Sequence, residues 1–247
     1  MKTFKTLLKI ESRLSLRGMD MFIFAICMPV AVIIILGSVY GSKEAFTGAG
    51  YTFLEQSFGA ITTIAICAGG VMGLPLVIAD YRSRKILKRF RVTPSSPALL
   101  LAVQAAVYAL YAIVSLILVY VTGAVLFDYR LQGSWWHFLG SYLLVMLSMF
   151  SIGILVGGIA PNTKIASAVA SLLYFPMLLF SGATLPYEVM PPALQKIADI
   201  LPLTQGIKLL KAASLGLPAD GVMIPIIIIT VTAIICISIS IRFFKWE

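Results

Sequence analysis

Apolar residues fall along this chain in six long blocks, at residues 21–40, 58–79, 98–127, 135–160, 165–183 and 222–241, with short polar stretches between them. A helix needs about 20 mostly apolar residues to cross a hydrocarbon core of about 30 Å, so each block predicts a membrane-spanning α-helix. The third exceeds that length, which predicts a tilt or a projection past the lipid. Together the blocks occupy most of the 247 residues. The pattern predicts an all-α integral membrane protein, a single transmembrane domain over residues 1–247, and leaves too little chain for a separate soluble catalytic domain.

Three of the intervening stretches carry patterns of their own. In residues 1–20, Lys5, Lys9, Arg13 and Arg17 recur every fourth residue, with Phe4, Leu7, Leu8 and Leu14 largely off that stripe. This predicts an amphipathic helix lying on the membrane surface. The same residues could form the charged start of a signal peptide, but the apolar block behind them is span-length and no small-residue cleavage site follows. In residues 80–97, a helix over 83–92 would line Arg84, Lys88 and Arg91 along one face and Ile86, Leu87 and Phe90 along another. Thr93-Pro94 and Ser96-Pro97 would end it, because proline disfavours helix in the residue before it. Such a helix suits either another protein's groove or an anionic lipid surface, and composition does not choose between them. In residues 184–221, Pro191-Pro192 opens a helix with Leu194, Ile197, Ala198 and Leu201 on one face, broken at Pro202. Thr204 caps a second, apolar at Ile207, Leu210 and Leu215 and stopped by Gly216.

Composition supports the membrane class: 60% of residues are hydrophobic and 12% charged, against roughly 25% charged in a soluble domain. Charge adds orientation. With six spans both termini share a face, and that face collects fourteen of the nineteen basic residues, six of them in residues 80–97. Cytoplasmic loops carry the lysine and arginine excess, which predicts a multi-pass protein of the plasma membrane with both termini cytoplasmic. The net charge of +9 is then a topology signal and a contact for membrane lipids, and no nucleic-acid partner is expected.

Candidate chemistry is sparse. The run from Gly37 to Glu44 approaches a phosphate-binding loop, but Ser42 stands where the second glycine belongs and Glu44 where the hydroxyl should be. His137, the single histidine, follows Trp135 and Trp136 at a span end, an interfacial anchor without partner ligands. Cys27, Cys67 and Cys236 fall inside spans as packing residues. Charged groups inside a span are costly and functional, yet none lies near the middle of a span here, which disfavours ion coupling. A hydrolase would need a nucleophile with a base or a metal set. Scattered hydroxyls at Thr62, Thr63, Ser115, Ser148 and Ser167 leave a channel open as an alternative. Gly69 with Gly73, and Gly153 with Gly157, have the spacing for close helix approach, within the chain or between subunits.

The run Ile86-Leu-Lys-Arg-Phe-Arg-Val-Thr-Pro-Ser-Ser-Pro97 resembles the loop between the second and third spans of exporter-type ATP-binding-cassette permeases, the type-two ABC membrane-protein family. Ser181-Gly-Ala-Thr-Leu-Pro186 followed by Leu201-Pro-Leu-Thr204 resembles the re-entrant extracellular helices of that family. The resemblance implies a coupling helix that touches the ATPase, formed here by Arg82, Arg84, Lys85, Ile86, Leu87, Lys88, Arg89, Phe90 and Arg91. It also implies an extracellular gate at Leu185, Pro186, Leu194, Ile197, Leu201, Pro202, Leu203 and Thr204. The partners it implies are an ABC ATPase dimer, which would carry the ATP and Mg, and a second permease copy or a related permease; no cofactor is expected in this chain. The implied function is the permease subunit of an ATP-driven exporter, itself not an enzyme, for an amphiphilic, drug-, antibiotic- or lipid-like cargo. The alternative is a channel or secondary carrier without an ATPase.

Overall fold

The structure, a computed structural model, describes residues 2–41, 43–46, 48–90, 96–182, 187, 190–218 and 221–244, with the backbone alone at Lys2, Asp20, Arg89, Phe90 and Pro97. The described residues are helical throughout, apart from turns and one isolated bridge between Glu44 and Thr52. Among them, six helices are long and apolar enough to cross a membrane: Ile23–Tyr40, Phe53–Ser83, Ala98–Phe127, Trp135–Ile159, Thr163–Phe180 and Met223–Phe243. They match the six apolar blocks in order. The second starts five residues before its block because Thr52 caps it. The Thr52 hydroxyl accepts from the Glu55 N–H at 3.2 Å, while the Glu55 carboxylate accepts from the Thr52 N–H at 2.7 Å.

An N-terminal helix, Lys2–Gly18, precedes them and ends at Met19, whose φ of 58° breaks it from the first span. Phe4, Leu7 and Leu8 pack towards the bundle and Lys5, Lys9, Arg13 and Arg17 stay exposed, but Leu14 is exposed as well. The first and second spans each contain a widened π segment, Ile23–Cys27 and Ala68–Gly73. Each lies just ahead of a proline, Pro29 or Pro75, whose missing N–H leaves an upstream carbonyl without its usual donor.

The second span is the axis of the molecule. Its most apolar stretch is 83% buried, against 28% in the first, fifth and sixth spans. Close packing of small residues sets this arrangement. A Cβ on Gly153 of the fourth span would collide with the Gly70 carbonyl, and one on Gly157 would come within 3.0 Å of Pro75. On the other side of the second span, Gly69 and Gly73 receive the Tyr108 ring of the third. Both glycine pairs therefore serve packing within the chain.

At the face opposite the termini, two shorter helices, Pro192–Ala198 and Pro202–Leu215, follow the fifth span. The second of these packs against the second, fourth and sixth spans and ends at Gly216 with φ 66°. It begins at Pro202, not after a Thr204 cap, because the fixed φ of proline suits the first helical position. Thr204 is consequently inside the first turn, buried, with its hydroxyl unpartnered.

Candidate functional site

The last turn of the second span is where the chain's polar groups converge on the terminal face. Ser83 donates to the Asp80 carbonyl, and Arg84 pairs with the Asp80 carboxylate at 2.9 Å, both largely in solvent. The helix then breaks: Lys85 takes a φ of 57° and a separate five-residue helix, Ile86–Phe90, follows. Of the helix expected over 83–92, Ser83 is the end of the second span, Arg84 and Lys85 form a turn, Ile86–Phe90 is helical, and residues 91–92 lie outside the described residues. The break rotates Leu87 inward, where it is 1% exposed and packs with Tyr81 and Leu100, with Ile86 and Phe244 against the same cluster.

Tyr81 and Arg82 each leave the second span for a different neighbour. The Tyr81 hydroxyl donates to the Glu11 carboxylate at 2.7 Å, and the Gln104 amide donates to that carboxylate at 2.7 Å and to the Tyr81 oxygen at 2.8 Å. Three elements meet there: the N-terminal helix, the second span and the third. Arg82 turns the other way and donates from one guanidinium nitrogen to the carbonyls of Gly157 at 3.0 Å and Ala160 at 2.6 Å, at the end of the fourth span. The last carbonyls of a helix lack intrahelical donors and carry its negative dipole end, which a cation there satisfies.

The coupling residues inferred from sequence thus divide. Arg84, Lys85 and Lys88 are exposed and form the basic surface, and Ile86 is half-buried. Arg82 and Leu87 are committed inside the chain. Arg89 and Phe90 are described in backbone only, and Arg91 lies outside the described residues. No group of three or more metal-ligating side chains occurs among the described residues.

A family model for the ABC-2 type transporter matches residues 2–215. The chain belongs to the ABC-2 type transporter family. Relatives of this ABC-2 chain include transport permease YvfS of Bacillus subtilis (strain 168), 23% identical over 78% of this chain and 77% of the relative. Nodulation protein J of Rhizobium leguminosarum bv. viciae is 34% identical, and that of Neorhizobium galegae 32% identical, over 39% and 41% of this chain and 35% and 36% of theirs. The ABC-2 chain is accordingly a multi-pass membrane subunit of a transporter, not its catalytic subunit, and the family implies association with an ABC ATPase.

At the opposite face of this ABC-2 subunit, Leu203 and Thr204 are buried, and Leu194, Leu201 and Pro202 are half-buried. Ile197, expected on the packed face with Ala198, is 53% exposed while Ala198 is fully buried. Leu185 and Pro186 lie outside the described residues. The two short helices are tied by a cluster that the apolar pattern does not reveal. Asp199 accepts from the Tyr187 hydroxyl at 3.0 Å and from Lys208 at 2.6 Å, and the Lys208 ammonium stands 4.4 Å from the Tyr187 ring centre. Burial and the hydrogen bond to Asp199 push the Tyr187 phenol above its ordinary pKa, against an opposing pull from Lys208.

Sequence reasoning also missed Glu11, Tyr81 and Gln104. One signal was present: Glu11 is the single acid among residues 1–19, and it falls on the stripe of Phe4 and Leu8 instead of among the lysines. An acid on the packed face of a basic helix is expected to have an internal partner.

Proposed function

We propose that this chain is the permease subunit of an ATP-driven ABC exporter. ATP and Mg would be handled by a separate ATPase dimer, and a second permease copy or a related permease would complete the pathway. The supporting observation is the basic surface formed by Arg84 and Lys85 at the break and Lys88 on the short helix after it, a helix whose inner side is pinned to the second span by Leu87, in a chain of this family. Exposed lysines and arginines steer a partner's approach without costing the permease its own packing. In this reading residues 80–97 are the coupling segment, both termini are cytoplasmic, and residues 184–221 form a re-entrant extracellular gate. Closure of the ATPase dimer on nucleotide would push the coupling helix, and the second span would carry that displacement through the bundle. The cargo would be amphiphilic, of a drug-, antibiotic- or lipid-like kind, because spans without fixed central charge offer an apolar route.

The test is a tagged pull-down in mild detergent, comparing wild type with Arg84→Glu/Lys85→Glu/Lys88→Glu. Wild type should retain an ABC ATPase and the charge-reversed variant should lose it while the permease itself still elutes as a single symmetric peak on gel filtration. Absence of any ATPase from the wild-type complex would overturn the assignment.

A further inference from the structure

Tyr81 and Arg82 are neighbours in sequence on the last turn of the second span, four and three residues before the break at Lys85. Adjacent helical positions point about 100° apart, so one residue serves each side of the helix. Tyr81 reaches Glu11 and Gln104, and through them the N-terminal helix and the start of the third span. Arg82 reaches the Gly157 and Ala160 carbonyls, directly before the short turn that leads into the fifth span at Thr163. Both side chains are buried, at 9% and 8% exposure, where a broken polar contact is costly because water cannot easily replace it.

We infer that Tyr81 and Arg82 are positioning residues that divide a movement of the basic loop between two bodies, Tyr81 directing it to the N-terminal helix and Arg82 to the turn joining the fourth and fifth spans. This deepens the coupling assignment and rests on it. The contacts suit the role. Each is a polar bond of defined length from the end of the second span, Tyr81 to the middle of the N-terminal helix and Arg82 to the end of the fourth span. The Arg82 guanidinium holds two carbonyls from one nitrogen, so the end of the fourth span moves with it. The Glu11 carboxylate gathers both of its donors on one oxygen, so the polar tie to the N-terminal helix, whose Phe4, Leu7 and Leu8 also pack on the bundle, converges on one atom.

Hydrogen exchange with mass spectrometry on the full chain in lipid nanodiscs tests the division. Tyr81→Phe should raise exchange at least tenfold in peptides covering residues 3–17 and leave residues 155–166 unchanged. Arg82→Met should do the reverse, and Arg82→Lys, which retains a cationic donor, should restore most of the protection. If both variants loosen both regions alike, or neither loosens either, the division is wrong. A second arm uses the complex with its co-purified ATPase, given Mg-ATP and orthovanadate. Wild type should change protection in both regions, Arg82→Met in residues 3–17 alone and Tyr81→Phe in residues 155–166 alone. A nucleotide response at 155–166 that persists in Arg82→Met overturns the relay. Should no ATPase co-purify, the exporter reading fails, while the first arm still decides whether the two contacts act separately.

Discussion

At the residue scale, burial separates side chains that look alike in sequence. Arg82 and Arg84 are two residues apart in a basic run, yet one caps the fourth span and the other faces solvent with Asp80. The exposed pair is worth at most about 1 kcal/mol, so Arg84→Ala should leave thermal stability in detergent unchanged. Leu87 gives the opposite outcome. Its removal opens a cavity beside Tyr81 and Leu100, and Leu87→Ala should destabilise by about 2–5 kcal/mol, read as a lower midpoint in a thermal shift assay. Gly153 tests the helix contact from the other direction. An added methyl would meet the Gly70 carbonyl, a backbone atom that cannot swing aside, and Gly153→Ala should cost about 1–3 kcal/mol by overpacking, with Gly140→Ala, where nothing lies within 4 Å, as the neutral control. The identities of these residues are plain in the sequence, but their directions are not: Arg82 turns to carbonyls more than seventy residues away, and the break at Lys85 resets the helical phase for Leu87 after it.

At the element scale, the two short helices after the fifth span depend on the Tyr187, Asp199 and Lys208 cluster. Folding holds the Tyr187 phenol neutral to higher pH than in the unfolded chain. The contribution of that group is therefore complete below the unfolded tyrosine value of about 10 and is lost as pH rises through the higher folded value. The thermal midpoint in detergent should hold steady to about pH 10 and fall above it. Tyr187→Phe should start from a lower midpoint at neutral pH and fall less steeply. Both helices were legible from proline and glycine punctuation, since Pro192, Pro202 and Gly216 act locally on backbone dihedrals. The cluster was not legible, because it joins residues of different helices through side chains with no sequence period. The N-terminal helix illustrates the same division: its basic stripe is a local pattern, and the contact of Glu11 with Tyr81 spans seventy residues.

At the scale of the whole molecule, the first, fifth and sixth spans present broad apolar faces, including Val39, Leu172 and Ile234, around a buried second span. If both termini are cytoplasmic, a reporter active only in the cytoplasm should be active when fused after Phe244 and inactive when inserted at Gly48, between the first two spans. The reverse pattern would invert the assigned orientation and place the basic loop away from any cytoplasmic ATPase. The sequence by itself determined the class, the number and order of the spans, the amphipathic helix at the start and the concentration of basic residues on one face. Each is a composition or length property of a continuous stretch, set by the thickness of the bilayer and the cost of placing charge in it. Only the tertiary structure decided which span is central, which faces pack and where Glu11, Tyr81, Arg82 and Leu87 point. Lipid is as apolar as a protein core, so hydrophobic periodicity no longer distinguishes inside from outside. That choice passed to the fit of glycines against rings and carbonyls and to a few polar bonds between helix ends, which exist only once the helices have assembled.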